Sequence, residues 1–256
     1  MKIIISPAKK MNIVENDYSK ITVPCFSAEM QELFQILKSM DQHQLQTLWN
    51  CSDKIAEDNF RKLKMIEQPG GLTPALLSYE GIQYQYMAPS VFTDKQWSYV
   101  NESLRILSGF YGLLRPSDGV LPYRLEMQAR LKIGDKKNLY EYWSDKIYKE
   151  LVKNDDTIIN LASDEYGKTI KKFLDKNIKY ITCIFGEEIS GKVKVKGTLA
   201  KMARGEMVRY IAENEITKAE QIKDFNRQNY CFSEKLSSQD RFVFLKKSET
   251  VSNERN

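Results

Sequence analysis

Short apolar runs alternate with helix-period segments along this chain, and that alternation requires a fold mixing sheet and helix. Lys2-Ile3-Ile4-Ile5-Ser6 reads as a short buried strand. Residues 157–161 and 178–185 read as two more, and residues 230–232 and 241–245 as closing strands. Residues 192–196 alternate Lys with Val, the pattern of a strand with one wet face. Between these runs, Met30, Leu33, Phe34, Leu37 and Met40 recur at helical spacing, which predicts a helix over 27–40 capped by Ser27. Further helices are predicted over 42–49, 52–67, 93–109, 139–151, 164–174 and 199–214. In the helix from Thr93, Trp97, Val100, Leu104 and Leu107 share a face and Gly109 is the stop. The expected class is α/β (mixed α+β), with a mixed sheet and dominant surrounding helices.

Composition sets the outer limits. Hydrophobic residues make up 42% of the 256 and charged residues 29%, which excludes disordered and fibrous classes. The apolar runs fall far short of the roughly 20 residues a membrane helix needs, and no secretory leader precedes the first strand. Four cysteines, at 25, 51, 183 and 231, form no CxxC pair, so neither a disulfide framework nor a zinc ribbon is expected. A soluble cytoplasmic protein with no membrane partner is the expectation. With no linker and no internal repeat, residues 1–247 are expected to form one compact domain and 248–256 a flexible tail. The turn-rich run Gln68-Pro69-Gly70-Gly71-Leu72-Thr73-Pro74 is the nearest approach to a break.

The net charge of +5 conceals an asymmetry. Residues 167–256 carry nineteen basic and twelve acidic side chains, so the remainder of the chain is slightly acidic. Such a bias suits a polyanionic partner, although a lysine-rich wet surface produces it too.

Chemistry-bearing residues cluster in a few segments. Ser108, Gly109, Tyr111 and Gly112 form a glycine-bearing turn whose free N–H groups suit a phosphate. The spacing resembles a helix-hairpin-helix element, but also fits an ordinary turn between helices. Arg115, Asp118, Arg124 and Glu126 follow on a proline-stiffened loop, either as a site or as bracing ion pairs. At Asn160-Leu-Ala-Ser-Asp-Glu-Tyr166 a strand runs into a helix. Capping explains Ser163 but not Asn160 or Tyr166. Lys201, Arg204 and Arg209 lie on one helix just after Lys192, Lys194 and Lys196, a plausible phosphate footprint. Gly205 among them marks a close approach, whether by a ligand or by another backbone. Lys9 follows the first strand and suits a phosphate contact or a nucleophilic amine. The single histidine, His43, excludes imidazole-based triads elsewhere. No metal-ligand spacing, P-loop or GxGxxG occurs, so no metal and no cofactor is expected.

These segments together resemble the YaaA family of bacterial peroxide-stress-response proteins. The carriers are Ile5-Ser-Pro-Ala-Lys9, the run from Leu107 to Pro116, Pro122-Tyr-Arg-Leu-Glu-Met127, Trp143-Ser-Asp145, Asn160 to Tyr166 and Ala200 to Tyr210. The resemblance implies one domain with a helix-hairpin-helix, a basic cleft and binding to double-stranded DNA; the rings of Phe110, Tyr111 and Tyr123 suit stacking on unpaired or distorted regions of it. It also implies a role in limiting oxidative damage linked to low free iron. Carried onto this chain, the hairpin is 108–113 and the cleft's basic groups include Lys9, Arg115, Arg124, Lys201, Arg204 and Arg209. The pattern departs at Asn229, where the family usually has Gly, and at Leu245-Lys246-Lys247.

A second reading is an enzyme acting on a nucleobase or damaged DNA, in the manner of a lyase or glycosylase. Its candidate catalytic residues are Lys9, Lys201, Asp118, Glu126, Asn160 and Glu165, because an amine or carboxylate is what such chemistry requires. A third, iron sequestration, lacks a ligand set in the sequence.

Overall fold

The apolar runs assemble into a single eight-stranded sheet. Its strands are β1 (Lys2–Ile5), β2 (Leu104–Ser108), β3 (Gly112–Leu114), β4 (Thr157–Leu161), β5 (Lys179–Ile189), β6 (Lys192–Lys194), β7 (Tyr230–Phe232) and β8 (Arg241–Lys246). The computed structural model describes residues 1–14, 21–67 and 73–247, so most of the turn-rich run at 68–74 and the tail at 248–256 lie outside the described residues. Across the sheet the order is β7-β8-β5-β4-β1-β2-β3, with β6 paired onto β5. Strands β2, β1, β4, β5 and β8 are parallel, and β3, β6 and β7 add antiparallel pairings. Ile3, Ile4 and Ile5 are wholly buried because β1 is central and covered on both faces.

Helices supply the cover. They are α1 (Ser27–Ser39), α2 (Gln42–Trp49), α3 (Asp53–Met65), α4 (Ile82–Met87), α5 (Asp94–Ser103), α6 (Leu139–Trp143), α7 (Lys146–Leu151), α8 (Asp164–Lys171) and α9 (Gly197–Glu213). Asp41 and Thr93 each make a complete capping box, which sets where α2 and α5 begin. One hydrophobic core runs through sheet and helices, so the chain is a single compact mixed α/β domain. Among the described residues, no helix is long and apolar enough to cross a membrane.

Three expectations need correction. The helix from Thr93 stops at Ser103, and residues 104–108 become strand β2. Leu104, Ile106 and Leu107 are fully buried, and β2 pairs with central β1, so sheet pairing overrides the helical spacing. Consequently, 108–113 is no helix-hairpin-helix. It is the turn of a β-hairpin, with Ser108 opposite Gly112. The predicted helix over 139–151 is also broken in two at Ser144, whose φ is 44°. Asn229 sits at φ 62°, the left-handed region that glycine favours and Asn tolerates.

The topology decides where a ligand site belongs. From β1 the chain travels to β2 on one side and returns to β4 on the other. The carboxyl ends of β1 and β4 therefore form a switch point, where the loops diverge and leave a crevice.

Candidate functional site

The loops beyond β1 and β4 are joined at that crevice. Ser6 Oγ accepts from the Ser163 amide at 2.8 Å and lies 3.1 Å from Ser163 Oγ. The Tyr84 hydroxyl donates to the Ser6 carbonyl at 2.9 Å and ties α4 to the same point. Helix α9 then docks on α4 at Gly205, where a Cβ would stand 2.1 Å from the Gln83 carbonyl oxygen. Gly205 thus admits another backbone, and this contact brings Lys201 and Arg204 to the crevice. The extended segment 123–126 closes the far wall. Gly109 supports that wall from behind, since a Cβ there would lie 2.5 Å from the Leu125 carbonyl oxygen.

The result is a cleft of about 540 Å³. Lys9, Arg124, Glu126, Glu165, Lys201 and Arg204, all expected from the sequence, line it together. Lys10, Glu80, Gln83, Tyr84 and Tyr166 complete it. Of these, Gln83 and Tyr84 carried no motif. The signals available were Gly81, which opens α4, and a Gln on a helix whose other inward residues are apolar.

The charges are arranged unevenly. Lys9 Nζ forms an ion pair with Glu126 Oε1 at 2.9 Å, and Arg124 lies 3.7 Å from the same oxygen. Glu165 accepts from the Gln128 amide at 3.2 Å. Burial raises the Glu165 carboxyl above its ordinary range, and the nearby Glu126 charge adds to this. Burial likewise lowers the Arg204 guanidinium, with Asp164 opposing it. Three buried polar nitrogens have neither a hydrogen-bond nor an ion-pair partner here: Gln83 Nε2, Arg124 Nε and Arg204 Nε. Among the described residues only Trp49 Nε1 and Tyr180 Oη share that condition. Buried polar groups are ordinarily satisfied, so three orphans in one cleft mark a place built for a ligand.

A second hollow, about 660 Å³, adjoins the first and shares Lys9 and Glu126 with it. Gln44, Thr47, Asn50, Gln128 and Arg130 give it polar walls beside Trp49. The two make a continuous groove divided by the Lys9–Glu126 pair. A larger hollow beside β5 and β8 holds one orphan, Tyr180 Oη.

The remaining expected site residues lie elsewhere. Ser108, Gly109, Tyr111 and Gly112 are buried. The Phe110 and Tyr111 amides donate to Ser108 Oγ at 3.1 and 2.9 Å, so they are not free for a phosphate. Gly112 faces Trp143, whose ring a Cβ would approach to 2.7 Å. Arg115 lines a separate hollow with Cys25 and Arg105. Asp118 is buried and braces a turn, accepting from Thr22 Oγ1 at 2.6 Å and the Arg115 amide at 2.7 Å. Asn160 Oδ1 accepts from the Ala162 amide at 2.9 Å, which shapes the end of β4. Arg209 is paired with Glu213 at 2.7 Å. Among the described residues, no three His, Cys, Asp or Glu side chains converge as metal ligands.

Comparison with known proteins agrees with these motifs. Residues 1–236 match the family model described as peroxide stress protein YaaA. A UPF0246 protein of Agathobacter rectalis is 51% identical over 247 residues, covering 96% of this chain and 99% of the relative. UPF0246 proteins of Desulfitobacterium hafniense and Pediococcus pentosaceus are 51% and 49% identical, each covering 96% of this chain and 98% of the relative.

Proposed function

We propose, from the premise that this chain belongs to the YaaA family of peroxide stress proteins, that it serves its oxidative-stress role by binding DNA through the cleft between β1 and β4. The cleft takes one unpaired or extruded nucleotide, while Lys9, Lys10 and Lys201 on the rim hold phosphates of the flanking strand. The observation that carries this reading is the set of three unpartnered buried nitrogens on Gln83, Arg124 and Arg204. All three are donors, which matches the acceptors of a base edge and its phosphate better than a purely apolar ligand.

Scale supports an unpaired nucleotide over a paired one. A cleft of about 540 Å³ holds a nucleotide but admits no duplex. The adjoining hollow provides polar walls for a neighbouring residue of the strand. The link to free iron enters at the level of physiology: iron-driven oxidation generates the damaged bases that such a cleft would receive.

The test is fluorescence anisotropy with duplexes that are fully paired or carry one unpaired nucleotide, measured across a salt series. Tighter binding to the unpaired probe is expected. Three rim contacts give a fall in log affinity with log salt of slope about −2 to −3. Equal binding to both probes, or affinity that ignores salt, overturns the reading.

A further inference from the structure

We infer that the cleft cleaves the N-glycosidic bond of a purine nucleotide seated in it, with Glu165 as general acid and Glu126 as general base toward water. This rests on the cleft being the nucleotide site proposed above, and adds a reaction to it.

The two carboxylates come from different parts of the chain, Glu126 from the wall segment and Glu165 from the first turn of α8, yet they line one cleft. Their surroundings differ. Glu165 is partly desolvated, held by the Gln128 amide, and raised above the ordinary carboxyl range. Glu126 stands between two cations, Lys9 and Arg124. One carboxyl held above its ordinary range by burial, beside one flanked by cations, is the arrangement glycoside hydrolysis uses. The second, independent observation is Gln83, only 7% exposed, with its amide nitrogen unpartnered against the same cleft. Together with Arg204 it offers donors to a guanine's O6 and N7 acceptors, the edge that Arg reads in guanine. Withdrawing electron density from the base also makes it a better leaving group.

The step balances without a co-reactant other than water. Glu165 gives its proton to a ring nitrogen of the base, and the C1′–N bond breaks with its electron pair going to the base. Water attacks C1′ and gives a proton to the Glu126 carboxylate. The products are a free base and an abasic sugar, and the proton returns from Glu126 to Glu165 through solvent. Lys9 is a less suitable agent. Its ammonium lies against Glu126 at 2.9 Å and its side chain is largely exposed, without the desolvated pocket that activates a lysine amine.

The experiment incubates the full chain, in molar excess, with duplexes carrying one unpaired dG. Released base is read by mass spectrometry and abasic sites by alkali cleavage. Base release is expected, falling at least 100-fold in E165Q and in E126Q. Both variants should unfold at close to the wild-type temperature and retain affinity for the probe within a few-fold. In the wild type, activity should fall as pH rises through the Glu165 titration, and E165Q should lose that limb. Binding without base release overturns this inference and leaves the DNA-binding reading standing. Absence of binding overturns both. A borohydride-trapped adduct that vanishes in K9A overturns the hydrolytic step in favour of amine attack.

Discussion

The hairpin at 108–113 and the cleft wall at 123–126 lie back to back, yet they treat polar groups in opposite ways. In the hairpin every polar group named above is spoken for. Ser108 Oγ takes the Phe110 and Tyr111 amides and bonds the Tyr123 hydroxyl at 2.6 Å, and the Trp143 indole donates to the Gly109 carbonyl at 2.9 Å. In the wall, Arg124 leaves its buried Nε without a partner. Satisfied polar groups contribute to stability, whereas unsatisfied ones cost stability and persist where a ligand completes them. The difference separates scaffold from site in two segments that both look functional in the sequence.

The sharpest way to break this comparison is Gly109→Ala. The added methyl meets backbone at Leu125, Glu126 and Met127, none of which is a flexible side chain. A loss of about 3 kcal/mol is expected in urea unfolding. A stable G109A that merely fails to bind DNA would show the hairpin to be an interface after all. Next in size is Arg204→Met, which keeps length but removes a half-buried guanidinium whose Nε has no partner. DNA affinity should fall by at least about tenfold, while unfolding stability stays equal or rises. Lys201→Ala concerns an exposed side chain with smaller consequences. Stability should change by less than about 0.5 kcal/mol, and the salt slope should lose about 1. The smallest effect is that of Glu165→Gln on stability. A carboxyl raised in the folded state favours folding while protonated, and that advantage is lost as pH rises from its ordinary 4.5 through its raised value. E165Q should therefore be more stable than wild type near neutral pH, by up to about 0.5 kcal/mol, with the gap closing near pH 4.

Much of the site was legible before folding. Lys9, Arg124, Glu126, Glu165, Lys201 and Arg204 all sit on segments where a polar pattern exceeds what local structure needs, and they converge. Asn160 and Asp118 looked similar but serve the backbone, because a side chain that bonds an amide two or three residues away is invisible to motif reading. The sheet's runs were equally legible, since short buried strands are continuous in hydrophobicity. The error at 104–108 arose because Trp97, Val100, Leu104 and Leu107 satisfy helical spacing while central β1 leaves an open edge for β2. Gln83 and Tyr84 were missed because their role depends on α9 docking at Gly205, a contact between distant parts of the chain.

Hydrogen–deuterium exchange on DNA binding tests the central claim most directly, using the full chain with a duplex carrying one unpaired dG. Added protection is expected in 6–10, 81–84, 123–126, 163–166 and 201–204, with none in the already buried hairpin at 108–113. Protection confined to the lysine-rich ribbon at 192–196, or to the hollow around Arg115, would contradict a site at the carboxyl ends of β1 and β4.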